Sequence, residues 1–191
     1  ASRETPLLDP RMHAQGLHGL LLSGGSAFGL DAAGGVMRYL EERGIGVEVG
    51  EAHVPLVCQS CIFDLSVGQG GLRPDGGMAY AACASAGRTP LANGCVGGGT
   101  GATVGKYRGL GYAMKSGFGA CAVQLGGLKV GAAVVVNALG DVFDLDSGAQ
   151  IAGLRTEDGA GLRSTEEEMW RDGERMGALP GGNTTIGAVF T

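Results

Sequence analysis

Glycine fills 39 of the 191 positions, and its placement restricts the fold more than any other feature. It is neither spaced at a fixed period nor gathered into a linker; it interrupts apolar segments. Glycines so placed allow sharp turns, positive φ and close approach of one backbone to another. The composition is therefore that of a tightly packed sheet protein or of a chain that builds a site from main chain. Hydrophobic residues at 44% and charged residues at 17% support a globular chain with a core, long enough for one domain of ordinary size. The formal net charge of −5 argues against nucleic acid or an anionic membrane surface as partner.

Five cysteines, Cys58, Cys61, Cys83, Cys95 and Cys121, are an odd number in apolar settings. They read as free, buried thiols in a reducing compartment rather than a disulfide framework. Cys58-Gln59-Ser60-Cys61 has C-x-x-C spacing, but no second pair accompanies it, so redox or zinc chemistry is disfavoured. No signal peptide or membrane span is legible, which points to the cytoplasm. The chain starts without Met and stops inside strand-like sequence, so the expectation is a chain truncated at both ends.

Residues 17–22 read as a buried strand, followed by a helix over 26–43 with Ser26 near its start and Gly44 past its end. Short strands are expected at 47–49 and 61–65, and a second helix from Pro74-Asp75 through Ala86. Residues 118–125 and 129–137 read as the arms of a hairpin turned at Gly126-Gly127, and 142–145 could extend its sheet. The polar stretch 155–181 reads as a surface linker, with a short helix opened by Ser164-Thr165-Glu166-Glu167. Helices early and strands late give a layered α/β class.

Three glycine-rich sites invite functional labels. Gly105-Lys106 is followed by Tyr107, and Thr100 stands where a phosphate loop needs its first glycine; Gly99-Thr100-Gly101 meets Val104 where a dinucleotide fingerprint needs glycine. Gly24-Gly25-Ser26-Ala27-Phe28 displaces the last glycine of a nucleophile elbow, and His13, His18 and His53 read more simply as surface or packing residues. Ser26 is better taken as a helix start. The third site is Gly181-Gly182-Asn183-Thr184-Thr185-Ile186. Glycines upstream let a peptide strain, and an apolar strand downstream holds a new amino terminus rigidly. A threonine there could attack the preceding carbonyl, and the freed amine, with an ordinary pKa of about 7.7–8.0, could then serve its own hydroxyl as base. By pattern alone such a run is more often a plain turn.

Several ordered motifs carry a resemblance through nearly the whole chain. They are residues 3–10, Leu22-Ser23-Gly24-Gly25-Ser26-Ala27-Phe28-Gly29-Leu30, residues 34–44, Arg73-Pro74-Asp75, Gly99-Thr100-Gly101-Ala102-Thr103-Val104-Gly105-Lys106, Val135-Val136-Asn137-Ala138 and Gly182-Asn183-Thr184-Thr185-Ile186. In these the chain resembles the L-aminopeptidase/D-Ala-esterase/amidase (DmpA-type) family of self-cleaving N-terminal-nucleophile hydrolases, related to β-peptidyl aminopeptidases and nylon-oligomer hydrolases. The resemblance implies an α/β (α+β) fold, a four-layer α/β/β/α sandwich of the DmpA/ornithine-acetyltransferase type. It implies cleavage between Asn183 and Thr184, with 1–183 the large-subunit portion of a catalytic domain and 184–191 the start of a small subunit. It makes Thr184 the nucleophile, Lys106 the neighbouring cation and Asn137 an oxyanion donor. Short peptides or amides are the implied substrates, the small subunit of the same precursor the partner, and a homo-oligomer (a tetramer of processed protomers) the assembly, with no cofactor or metal. Phe63 stands where some members have tyrosine, so any hydroxyl contribution from that position is missing. Acyl transfer of the ornithine-acetyltransferase type and a non-catalytic, uncleaved binding protein are the alternatives.

Overall fold

The two segments flanking Gly126-Gly127 become the longest strands of the structure. A computed structural model of the chain describes residues 1–87, 91–173, 177 and 181–191. It is a mixed α/β chain of many strands and few helices, divided into two compact units, Ala1–Leu91 and Ala92–Thr191.

In the first unit, β1 (Ser2–Arg3), β2 (Gly19–Ser23) and β5 (Val57–Cys61) form a sheet in the order β1-β5-β2, with β2 parallel to β5 and β1 antiparallel to it. β3 (Val47–Val49) and β4 (Ala52–Val54) make a separate hairpin. Between β2 and β5 runs α1 (Ala33–Glu41), and α2 (Gly76–Ser85) follows β5. Ala32, Ala33, Val36, Val57 and Ala79 are the buried core of this unit, lined by Leu21, Met37, Leu40 and Cys83. The two helices approach so closely that a Cβ on Gly35 would lie 1.9 Å from the Gly76 carbonyl oxygen. Asp75 caps α2 by accepting from Met78 N at 2.8 Å, a contact worth about 1 kcal/mol.

Several expectations shift here. The strand expected at 17–22 lies at Gly19–Ser23, and that expected at 61–65 ends, rather than starts, at Cys61. The helix expected over 26–43 is α-helical only from Ala33; Ser26–Ala32 is a 3-10 helix. Ser26 sits at φ 53, outside the α-helical region, and Gly25 at φ 84 precedes it. Ser26 opens this segment without a side-chain capping bond.

In the second unit, β8 (Gly117–Leu125) and β9 (Leu128–Asn137) form the expected hairpin, turned at Gly126 with φ 59. β14 (Thr184–Phe190) pairs with the other edge of β9, giving an antiparallel sheet in the order β14-β9-β8. Val135 and Asn137, two residues apart on β9, are buried together as a period-2 strand requires. β6 (Thr103–Val104) pairs with β7 (Met114–Lys115). β10 (Val142–Phe143) does not extend the main sheet: it pairs with β11 (Gln150–Ala152) because the chain turns back on itself at Asp144, which accepts from Ser147 N and Oγ. β12 (Leu154–Arg155) pairs with β13 (Leu162–Arg163), and α3 (Thr165–Asp172) is capped by Ser164, which accepts from Glu167 N. The stretch read as a surface linker thus carries strands and a helix, and Thr165 and Glu168 on it are buried. Its residues 174–176 and 178–180 lie outside those described. Among the described residues no helix is long and apolar enough to cross a membrane.

Candidate functional site

The strand register brings two of the singled-out residues face to face. Thr184 opens β14 directly opposite Asn137, the last residue of β9. Lys106 reaches the same point from the loop after β6. That loop is held by main chain, Gly105 N donating to Gly140 O and Lys106 N to Leu139 O, both at 2.8 Å. Gly105 has φ 68, and a Cβ there would lie 2.0 Å from the Gly153 carbonyl carbon, so only glycine lets the loop lie this close.

Asn137 is 1% exposed and joins the three segments. Its Oδ1 accepts from Lys106 Nζ at 3.0 Å and from Thr103 N at 3.1 Å. Both partners are obligate donors, so this atom must be the oxygen of the amide. The amide nitrogen therefore points the other way, where it donates to Gly182 O at 3.2 Å and Thr184 Oγ1 at 3.1 Å. The carbonyl of Gly182 is itself an obligate acceptor, which fixes the same orientation from the far side. Lys106 also donates to the main-chain oxygen of Asn137 at 2.9 Å. Only 7% exposed, its ammonium is pushed below its ordinary value of 10.5 by burial. Gly182, at φ 84, turns the chain into Asn183 and Thr184.

The arrangement presents one hydrogen-bond donor, held rigidly by a buried cation, at a threonine hydroxyl that starts a strand. A donor in that position can stabilise negative charge developing on an oxygen beside Thr184. Thr184, Asn183, Asn137 and Lys106 are thus brought together. Phe63 lies in the first unit, 43% exposed. Sequence reasoning missed Thr103, which donates to Asn137 Oδ1 through its backbone N–H and, at 3.4 Å, through its hydroxyl. It also missed Glu168 and Asp172 on α3, whose spacing of one helical turn was the available clue.

The other candidates part from the site. Cys58 and Cys61 are free and buried: Cys58 Sγ donates to Glu4 O, and Cys61 Sγ lies 3.1 Å from Ser23 Oγ. Burial pushes both thiols up, the opposite of what thiolate chemistry needs. Cys83 is half-buried, whereas Cys95 and Cys121 are exposed, so the expectation of buried thiols fails for those two. His18 packs as a backbone acceptor, its Nδ1 taking Leu56 N at 3.0 Å. Among the described residues no group of three or more His, Cys, Asp or Glu is placed to hold a metal ion.

The chain is similar over most of its length to several known proteins. The chain is 39% identical over 198 residues to an uncharacterized aminopeptidase of Mycobacterium leprae (strain TN), covering 100% of this chain and 53% of that protein. It is 46% identical over 148 residues to an uncharacterized aminopeptidase of Mycobacterium tuberculosis (strain ATCC 25618 / H37Rv), covering 77% and 41%. It is 29% identical over 175 residues to a 6-aminohexanoate-oligomer endohydrolase of Kocuria sp. (strain KY2), covering 91% and 49%. The chain spans about half the length of the curated relatives it matches. The profile of peptidase family S58 matches residues 1–191 from end to end, and the chain belongs to that family.

Proposed function

We propose that this chain supplies the nucleophile and the oxyanion donor of a self-processing amide hydrolase, an aminopeptidase or amidase acting on short peptides or amides. The observation that carries the reading is the forced orientation of the Asn137 amide, which aims Nδ2 at Thr184 Oγ1. The family, and relatives named as aminopeptidases and 6-aminohexanoate-oligomer endohydrolases, support amide-bond hydrolysis as the reaction class.

In maturation, Thr184 Oγ1 attacks the Asn183 carbonyl carbon. The Asn183–Thr184 amide breaks as the ester forms, and the threonine nitrogen leaves as an amine. Water then hydrolyses the ester, freeing the Asn183 carboxylate and a Thr184 amino terminus. In catalysis that amine, near pKa 7.7–8.0 in ordinary surroundings, takes the hydroxyl proton as Oγ1 attacks a substrate amide. Asn137 Nδ2 donates to the oxyanion, the substrate amine leaves with the proton, and water hydrolyses the acyl-enzyme. Lys106 acts through Asn137: by donating to Oδ1 it prevents the amide from flipping. The same reading takes the β14-β9-β8 sheet as an inner layer of an α/β/β/α sandwich, and 1–183 and 184–191 as portions of a large and a small subunit. Processed protomers would assemble as a cytoplasmic homo-tetramer.

Mass spectrometry of the complete gene product tests the proposal. Wild type is expected as two fragments divided before Thr184, and Thr184→Ala as a single species. An uncut wild type that hydrolyses amides would overturn it.

A further inference from the structure

Helix α3 is tied at both ends to the residues that flank the site. At its start, Asp141, which follows Asn137 out of β9, accepts from Thr165 N on Oδ2 and from Thr165 Oγ1 on Oδ1, both at 2.7 Å. Asp141 Oδ1 also accepts from Leu154 N at 2.9 Å, so this carboxylate joins three segments. At its end, α3 meets the two residues directly after Lys106. Tyr107 Oη donates to Asp172 Oδ2 at 2.7 Å. Arg108 donates through Nε and Nη2 to Glu168 Oε2 at 3.2 and 2.9 Å, and through Nη2 to Asp172 Oδ1 at 3.0 Å. Arg171 closes the cluster on Glu168 Oε1 at 2.8 Å.

Two features set this cluster apart from ordinary surface ion pairs. Glu168 is 6% exposed, so its charge is held in a low-dielectric setting and demands its partners. Its guanidinium contact through two nitrogens, with a second carboxylate one turn along, defines both distance and direction, whereas an apolar contact can slide. Among the described residues, α3 is also the last helix before the Gly182-Asn183-Thr184 segment. One short helix thus touches the chain beside Lys106 and the chain beyond Asn137.

We propose that α3 is a positioning brace for self-cleavage: Tyr107, Arg108, Glu168 and Asp172 at one end, and Asp141 with Thr165 at the other, hold Lys106 and Asn137 in the register that faces Asn137 Nδ2 to Thr184 Oγ1. The inference rests on Thr184 being the nucleophile. The six act through Lys106 and Asn137. Reactions of this kind lose about 10²-fold for a misplacement on the order of 1 Å, so loosening the brace slows chemistry before it unfolds the chain.

The test follows cleavage before Thr184 in the complete gene product, made by cell-free synthesis, for wild type, Arg108→Met, Arg108→Lys and Tyr107→Phe. Thermal midpoints are measured alongside, and rates are taken well below all of them. Arg108→Met is expected to slow cleavage by about 10- to 100-fold, and Arg108→Lys, which keeps the charge, to recover part of the loss. Tyr107→Phe removes one hydroxyl and no packing; a slowing of roughly 3- to 10-fold is expected, and it decides the matter if Arg108→Met does not fold. In the processed enzyme Arg108→Met should lower kcat and leave KM unchanged. Variants that lose thermal midpoint yet cleave and turn over at wild-type rates overturn the brace alone. A wild type that never splits before Thr184 overturns the nucleophile assignment and the brace with it.

Discussion

Asn137→Asp replaces one amide nitrogen by oxygen at nearly constant volume, and so separates the chemistry of the site from its packing. On the Oδ1 side nothing is lost, because Lys106 Nζ at 3.0 Å and Thr103 N at 3.1 Å still donate. The Lys106 contact, already charge-assisted through the ammonium, becomes an ion pair, and a carboxylate there opposes the depression of the Lys106 pKa that burial causes. On the other side the new oxygen meets Gly182 O and Thr184 Oγ1, where the amide had donated at 3.2 and 3.1 Å. The threonine hydroxyl can rotate to donate to it; the Gly182 carbonyl cannot, and losing that bond costs about 1–3 kcal/mol. Gain and loss nearly offset, so the thermal midpoint should move by no more than about 6 °C. The rate should behave otherwise. Removing an oxyanion donor costs about 10²–10³-fold, or roughly 2.7–4 kcal/mol, and an ionised carboxylate in its place repels the developing charge as well. Cleavage before Thr184, followed by mass spectrometry, and hydrolysis of an aminoacyl anilide should both fall at least about 10²-fold. A folded Asn137→Asp protein that splits and turns over at the wild-type rate would refute the reasoning, since the Nδ2 donor to Thr184 Oγ1 would be gone.

Lys106→Met leaves only the Thr103 N–H and hydroxyl as described donors to Asn137 Oδ1, and should slow processing by about 10-fold or more. The folded state of wild type holds the Lys106 proton less tightly than the unfolded chain. Its stability should therefore rise with pH from the lowered value toward 10.5, and a Met variant, scanned by thermal melts at alkaline pH, should lack that rise. Gly105→Ala forces a Cβ to 2.0 Å from the Gly153 carbonyl carbon at φ 68; a loss of roughly 3 kcal/mol, or about 6–12 °C in thermal midpoint, is expected. The Glu168 carboxyl is held below its ordinary 4.5, first by its hydrogen bond from Arg108. Its contribution is complete above 4.5 and disappears as pH falls through the lowered value, so the stability gap between wild type and Glu168→Gln should close in acid melts.

Much of the local structure was legible from residues close together in sequence. Gly126-Gly127 between two strand-like segments predicted the β8–β9 hairpin, because such a turn needs residues that accept positive φ. Asp75 and Ser164 predicted helix starts, because each can accept from a backbone N–H three residues on. The run of motifs through Gly182-Asn183-Thr184-Thr185-Ile186 identified the family and the candidate nucleophile. The 3-10 course of Ser26–Ala32 was misread because helical spacing of apolar residues cannot reveal a serine at φ 53. The hairpin of β10 with β11 was misread because an apolar pair does not say which edge it joins.

Other features depend on partners far away in sequence. Asn137 meets Thr184 across 47 positions, and which strand pairs with β9, and in what register, is a property of the assembled sheet. The orientation of the Asn137 amide follows from a cation and a backbone N–H on another loop. Burial of Glu168 follows from Arg108, 60 residues upstream. Turns and caps are decided by steric limits and hydrogen bonds over a few residues, so sequence alone determines them. Register, amide orientation and the tolerance of a buried charge are decided by groups that only folding brings within about 3 Å, and these belong to the tertiary structure.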